Sequence, residues 1–375
     1  MPNAAERDLL RCLKPGLRIL DHGALNAEAT PDLLDKPLTP IPAFFVRNNG
    51  LLPELPVTAE QWTLTVDGEV DVPHRWSIEA LRSEFETVSV TAVLECAGNG
   101  RSGFVPPTEG LPWTVGAVGC ARWTGVRLRD LLRACGVRQS AVYTGHHSPD
   151  VQVDGSGRPA LSRGLPIAKA LAPETLVAFA MNGEPLPLLH GGPLRIVAPG
   201  YPGSAWQKWL SGLTVREREH DGTKMTGTDY RLPVRPLAPG EPVDPADFAV
   251  ITDMPVKSLI TFPRNGFTVP VGASVAVRGF AWSGQTPVAS LDLSADGGST
   301  WCRAELEPER EPFAWRRFQG ILVFEREGPA VVIARARDAA GRTQPLDSAA
   351  WNPGGYCNNG VHRVTGTVQG LREQA

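Results

Sequence analysis

The chain lacks any apolar run long enough to span a bilayer. Its longest runs, around Val88 to Leu94 and Leu176 to Met181, are strand-sized, whereas a membrane helix needs roughly 18 apolar residues. No membrane partner is expected. It also has no excess of either charge: 37 Lys and Arg stand against 40 Asp and Glu, a formal net charge of -3. That excludes a whole-molecule attraction for nucleic acid or anionic lipid, so any anion must be held at a local site. Six cysteines, Cys12, Cys96, Cys120, Cys135, Cys302 and Cys357, lie far apart. They form no C-x-x-C, no C-x-x-C-H haem attachment and no zinc spacing with the seven histidines, so neither a disulfide framework, a haem nor a zinc centre is expected. Glu6, Arg7 and Asp8 occupy the place where a signal peptide needs its apolar stretch, and no twin-arginine pair is present. The expected location is the cytoplasm, or the periplasm if Met1 is not the native start.

What is abundant is Gly, 39, and Pro, 35, in 375 residues and without any G-x-y period. Such punctuation disfavours long helices and predicts many short strands joined by turns. Residues 1–42 read as an N-terminal extension. Residues 43–230 mix strand-like runs, a few helical patches and long loops, an irregular α+β domain. The clearest helix lies in RWTGVRLRDLLRACG, where Val126, Leu128, Leu131, Leu132 and Cys135 share an apolar face and Gly136 suits the stop. A second is expected over Pro166 to Leu171. Residues 231–250 hold five prolines and no hydrophobic period, the mark of an extended surface linker. In residues 251–375, SVAVRGFAW, VASLDLSADGGSTWCRAEL, FAWRRFQGILVF and AVVIARARDAAGRT read as successive strands of an immunoglobulin-like β-sandwich.

Three segments carry candidate chemistry. In ETVSVTAVLECAGNGRSGF, Val88, Val90, Ala92 and Leu94 alternate into a strand that ends at Cys96 and runs into Ala97, Gly98, Asn99 and Gly100. A thiol is thereby presented at a strand end. Residues 98–103 also spell G-x-G-x-x-G, but Pro106, Pro107 and Gly110 follow where a dinucleotide site needs a helix N-terminus. In LLHGGPLRIVAPGYPGSAWQKWL, His190, Arg195 and Lys208 punctuate a Gly/Pro-rich stretch whose cations and free N–H groups could converge on a phosphate. PAFFVRNNG delivers Arg47 into a turn. Arg101 and Trp113 lie beside Cys96 if the intervening loop folds back. A cysteine hydrolase built on Cys96 and His190 lacks any third, orienting group, and a non-catalytic binding protein is the remaining alternative.

Together these segments resemble the sulfite oxidase family of molybdenum enzymes, in family order: FFVRN, ECAGN, ARWTGVRLRDLL, HGGPLRIVAPGYPGSAWQKWL, then AWSG, DGGSTW, RARDAAG and the WNPGGY-CNN-HRV ending. The resemblance implies a molybdopterin-binding domain followed by an immunoglobulin-like dimerisation domain, and hence a homodimer. It implies Cys96 as the thiolate ligand to molybdenum, with Phe45, Arg47, Asn49, His190, Arg195, Gly203, Ser204 and Lys208 holding the cofactor. It places Arg47, Arg101 and Trp113 at the oxyanion pocket and makes Arg310 the candidate for an arginine supplied by the second domain. The implied activity is oxidation of sulfite to sulfate, with electrons passed to an external acceptor, a cytochrome or oxygen. Two departures stand out. Leu161 in RPALSRGLPIAKAL occupies the place expected for an active-site tyrosine, with Tyr143, His146 and His147 as the nearby polar substitutes. Asn49 stands where many relatives have histidine. A different substrate, a sulfoxide or another oxyanion, is the alternative these departures raise.

Overall fold

The computed structural model describes residues 10–54 and 61–370. The charged start at Glu6, Arg7 and Asp8 lies outside the described residues. The first unit is built on two five-stranded sheets. One is antiparallel and centres on Val118–Arg127, flanked by Thr87–Glu95 and Leu176–Met181, with Arg195–Val197 pairing to the latter. The other orders His74–Ser77, Thr63–Gly68, Gly212–Arg216, Tyr143–His147 and Gly164–Pro166. The second unit is a sandwich of a four-stranded and a five-stranded sheet. The whole is mixed α+β, mostly strand, as the Gly and Pro content implies.

Strand Thr87–Glu95 explains how the thiol reaches the interior. Its nine residues pair in register from Thr87 opposite Val126 to Glu95 opposite Val118. Its first half is exposed and alternating, but Ala92, Val93, Leu94 and Glu95 are all buried. The strand therefore enters the core end-on and delivers Cys96 there. Helix Leu128–Cys135 forms where the apolar spacing places it: Leu128, Leu131, Leu132 and Cys135 are buried, and Gly136 closes it at φ 69°. Val126 belongs instead to the preceding strand. The second expected helix is a single turn, Ile167–Ala170. A third, Ile78–Glu84, has its N-terminus capped by the Ser77 hydroxyl accepting from the Ala80 N–H.

Two segments differ from expectation. The described part of residues 1–42 is woven into both units. Ala27 bridges to Val46, and the Glu28 carboxylate accepts from the N–H and hydroxyl of Thr114 at 2.9 and 2.8 Å. Asp35 accepts from Thr261, Arg278 and Arg317 of the sandwich at 2.7, 2.8 and 3.1 Å. Residues 231–250 are not a simple extended crossing, because Arg231–Pro233 pairs antiparallel with Phe248–Val250. Prolines lack an N–H but keep a carbonyl, so the ends of the segment still pair while its middle stays on the surface.

Candidate active site

A cavity in the first unit is lined by residues from several separate stretches of chain. Phe45, Arg47 and Asn49 come from the turn after Ile41–Ala43, Cys96 from the end of Thr87–Glu95, and His190 and Arg195 from either end of the cis Gly192-Pro193 segment. Gly203, Ser204 and Lys208 join it from the turn that follows Arg195–Val197. Gly203 tolerates no larger residue easily, since a Cβ there would come within 3.0 Å of the Glu95 carbonyl oxygen.

The lining is strongly cationic, and its cations bond to neutral oxygens. Arg195 is buried between the faces of Trp123 and Trp206, 4.9 and 5.8 Å from their centroids, and donates to the carbonyls of His190 and Trp206 at 2.7 and 3.0 Å. Burial lowers its pKa to about 9. Lys208 donates to Asn48 Oδ1 and to the Leu189 carbonyl, and its Nζ lies 4.5 Å from the Trp209 ring centroid. Burial, then the neighbouring Arg195, pushes its pKa far down. Arg47 donates to Asn49 Oδ1 at 2.9 Å and to the Asn48 carbonyl. The acid on this lining is Asp150, whose pKa burial raises. His190 is buried, and its Nε2 is engaged by Lys14 at 2.7 Å. Burial and the cations Lys14, Lys208 and Arg195 hold it neutral. A ring tied to Lys14 in this way is poorly placed to serve as base for a Cys96 nucleophile.

Concentrating buried positive charge against neutral oxygens is costly for a protein alone, so the arrangement calls for an anion. Ser204 Oγ adds an independent sign: it is buried on the lining and has no hydrogen-bond partner. A thiol, three cations and an orphaned hydroxyl fit a phosphate-bearing pterin, with Cys96 as the residue that would hold its soft metal.

Several expected residues lie elsewhere. Arg101 and Trp113 are not on the cavity lining. Arg101 donates to the carbonyls of Leu111 and Gly354, both at 2.9 Å, and its guanidinium sits 5.3 Å from the Tyr356 centroid, which turns it toward the interface with the sandwich. Trp113 is fully buried edge-on behind Phe45 at 6.5 Å, and its carbonyl accepts from the Ser102 N–H at 3.0 Å. Arg310 is exposed on a loop and lines no part of the cavity. The second unit supplies Tyr356 to this neighbourhood in place of an arginine. Tyr143, His146 and His147 are also off the lining, with His146 bonded to Thr144 and His147 to Thr214.

The main correction concerns the tyrosine. Leu161 does line the cavity, yet a phenol is present: Tyr230 lies on the same lining, and its hydroxyl donates to Asn49 Oδ1 at 3.0 Å. Tyr230 stacks on Tyr356 at 5.3 Å and has Arg163 5.2 Å from its centroid. It sits at φ 52°, an uncommon backbone state for an aromatic residue that only the surrounding packing can impose. Asp150 was also missed. Asn48, Leu94, Leu189, Trp206, Gln207 and Trp209 complete the lining and flank residues already singled out.

A fold of this kind around a thiol and an anion cradle defines a molybdopterin-dependent oxidoreductase. The family model of the oxidoreductase molybdopterin binding domain matches residues 51–224, and that of the Mo-co oxidoreductase dimerisation domain matches residues 248–369. The sulfite oxidase of Gallus gallus is 36% identical over 363 residues, covering 93% of this chain and 77% of that protein. The mitochondrial sulfite oxidase of Rattus norvegicus is 37% identical over 369 residues, covering 93% and 65%. The chain belongs to the sulfite oxidase family, and it spans about two thirds of the length of its mammalian relatives. The NAD(P)H nitrate reductase of Hordeum vulgare is 30% identical over 348 residues, 87% of this chain and 39% of that one. The solved sulfane dehydrogenase SoxCD of Paracoccus pantotrophus superposes with a TM-score of 0.76 at 24% identity, covering 98% of this chain and 92% of that chain, a likeness of fold.

Proposed function

We propose that this chain oxidises sulfite to sulfate and passes the two electrons to an external acceptor, a cytochrome or oxygen. The observation that carries the reading is the convergence of Cys96, Arg47 and Tyr230 on one cavity lining. The identity to sulfite oxidases over 93% of the chain supports it. In this reading Cys96 is the thiolate ligand to molybdenum, a soft sulfur matched to a site of soft sulfurs. His190, Arg195, Gly203, Ser204 and Lys208 hold the pterin and its phosphate. When bound, the molybdenum centre supplies the oxygen transfer and accepts the electron pair.

The chain's own residues bind and orient the substrate. Arg47 neutralises a small dianion where little water screens the charge. The Tyr230 hydroxyl donates to an oxyanion once it leaves Asn49 Oδ1, and Asn49 keeps Arg47 and Tyr230 within reach of one another. Arg101 acts from behind, holding the Tyr356 segment against Tyr230. The dimerisation domain supports a homodimer as the working unit.

Leu161 on the lining favours one second reading, the same cofactor acting on a sulfoxide or another oxyanion, because an aliphatic group there leaves room for a substrate with an apolar side. Turnover of molybdenum-loaded protein with sulfite and an artificial acceptor separates the two. Sulfite-dependent reduction of the acceptor is expected, and its absence, with turnover of a sulfoxide, would replace the first reading by the second.

A further inference from the structure

We propose that the sandwich is part of the active-site machinery: Lys257 and Trp282 act as positioning residues that set the direction of the Cys96 thiol through Glu95 and Asn99. The inference rests on the reading of Cys96 as the metal's ligand.

Glu95 immediately precedes the thiol, and it is buried together with Asn99, Lys257 and Trp282. Both of its carboxylate oxygens are engaged. Oε1 accepts from Lys257 Nζ at 2.6 Å and from Asn99 Nδ2 at 2.9 Å, and Oε2 accepts from Trp282 Nε1 at 2.8 Å. Lys257 donates again to the Asn99 carbonyl at 2.9 Å. Asn99 then closes the turn, accepting from the Ala117 N–H at 3.1 Å while its own N–H donates to the Cys96 carbonyl at 2.9 Å. The Cys96 N–H donates to the Ala117 carbonyl at 3.0 Å. The chain is thus held on both sides of the thiol, at Glu95 and at Asn99.

The two residues that hold it from the sandwich are themselves directly opposite each other, Lys257 in Lys257–Phe262 and Trp282 in Ser274–Trp282. Side chains on paired strands keep a fixed separation better than side chains on loops. A buried ion pair is weak evidence for stability, since hydrophobic replacements of similar volume often serve as well. Here Glu95 and Lys257 each make a further hydrogen bond to Asn99 in the turn that carries the thiol, and Trp282 fixes the other carboxylate oxygen of Glu95, so the use of the pair is directional. The residues that would hold the pterin lie in the first unit, and the direction of the Cys96 side chain is set from the second.

The test compares the molybdenum-loaded wild type with Glu95→Gln/Lys257→Met, which removes both charges together, and with Cys96→Ser as a reference. Melting temperature, molybdenum per chain, the electron paramagnetic resonance spectrum of the Mo(V) state, and kcat and KM for sulfite are measured. The double variant is expected to fold and to load molybdenum, with shifted g-values, kcat down about tenfold and KM unchanged. Wild-type g-values and kcat in the folded, loaded double variant would overturn the proposal. Should that variant fail to fold or to load molybdenum, Trp282→Phe removes one hydrogen bond from Glu95 and carries the same test: shifted g-values support the proposal and unshifted ones overturn it. A Mo(V) spectrum unaltered in Cys96→Ser would instead overturn the ligand reading on which the proposal rests.

Discussion

Replacing Arg195 by Met should move stability and cofactor retention independently. In the cofactor-free protein the guanidinium is buried, and burial lowers its pKa from the ordinary 12.5 to about 9. At about 1.4 kcal/mol per factor of ten in proton affinity, keeping that charge costs about 5 kcal/mol. The sign follows from linkage: the folded chain binds this proton more weakly than the unfolded one, so the cost is fully present below about pH 9 and fades as pH rises toward 12.5. The Arg195→Met substitution removes that cost at neutral pH. It also strips the hydrogen bonds to the carbonyls of Ile196, His190 and Trp206, a loss of about 1–3 kcal/mol for each oxygen left unpaired. The two effects oppose each other, so urea denaturation of cofactor-free Arg195→Met should give a stability within about 4 kcal/mol of wild type.

Retention of the cofactor should behave differently. Arg195 has five N–H donors, of which three have partners in the protein. The remaining two are available to an anion on the lining, and one charge-assisted hydrogen bond contributes about 1.5–3 kcal/mol. Molybdenum and pterin should then be held about 10- to 150-fold less tightly, read as metal per chain after dialysis. A variant that unfolds far more easily yet keeps its full molybdenum would refute the argument and make Arg195 a brace for these carbonyls.

Arg47→Gln should raise the KM for sulfite by about 10- to 100-fold with a smaller change in kcat, since the cation acts on a bound dianion; an unchanged KM would take Arg47 out of substrate capture. Tyr230→Phe deletes the hydroxyl that meets Asn49 Oδ1. It should change stability by only about 1 kcal/mol while lowering kcat/KM at least tenfold, and retained kcat/KM would show the phenol to be structural. His362 is buried with its pKa lowered to about 4, and its Nδ1 accepts from the Ile260 N–H at 3.1 Å. The unfolded chain takes up the proton first, so this contribution is whole above pH 6.5 and is lost as pH falls toward 4, about 3 kcal/mol in all. His362→Gln should flatten stability across that interval, and an acid limb identical to wild type would assign the loss to other groups.

Much of the site could be read in the chain because its parts are local. Cys96 could be read because alternation of Val88, Val90, Ala92 and Leu94 ends in a run of small residues, a pattern that physically produces a strand and then a turn. His190, Arg195, Gly203, Ser204 and Lys208 fall within nineteen residues, and the cavity gathers all five. Helix Leu128–Cys135 was legible for the same reason, its apolar spacing and its closing glycine both lying within two turns. Tyr230 was not legible. It stands among KMTGTDYRLP without periodicity, far along the chain from Cys96, and only the path of residues 217–230 back across the first unit carries it to the cavity. Arg101 and Trp113 show the opposite case. Their closeness to Cys96 in the chain is real, but Arg101 is held by the carbonyls of Leu111 and Gly354 and Trp113 packs behind Phe45, off the lining.

From its residues alone this protein was committed to many short strands, a thiol at a strand end and a cluster of cations close together in the chain, because each depends on neighbours a few positions away. Only the folded chain decided which phenol reaches the cavity, where the arginine next to the thiol points, and that residues 10–42 bind both units. Those outcomes depend on contacts between segments a hundred or more residues apart, such as Lys257 with Glu95 and Tyr230 with Asn49, and no local pattern encodes which distant partner will occupy the space.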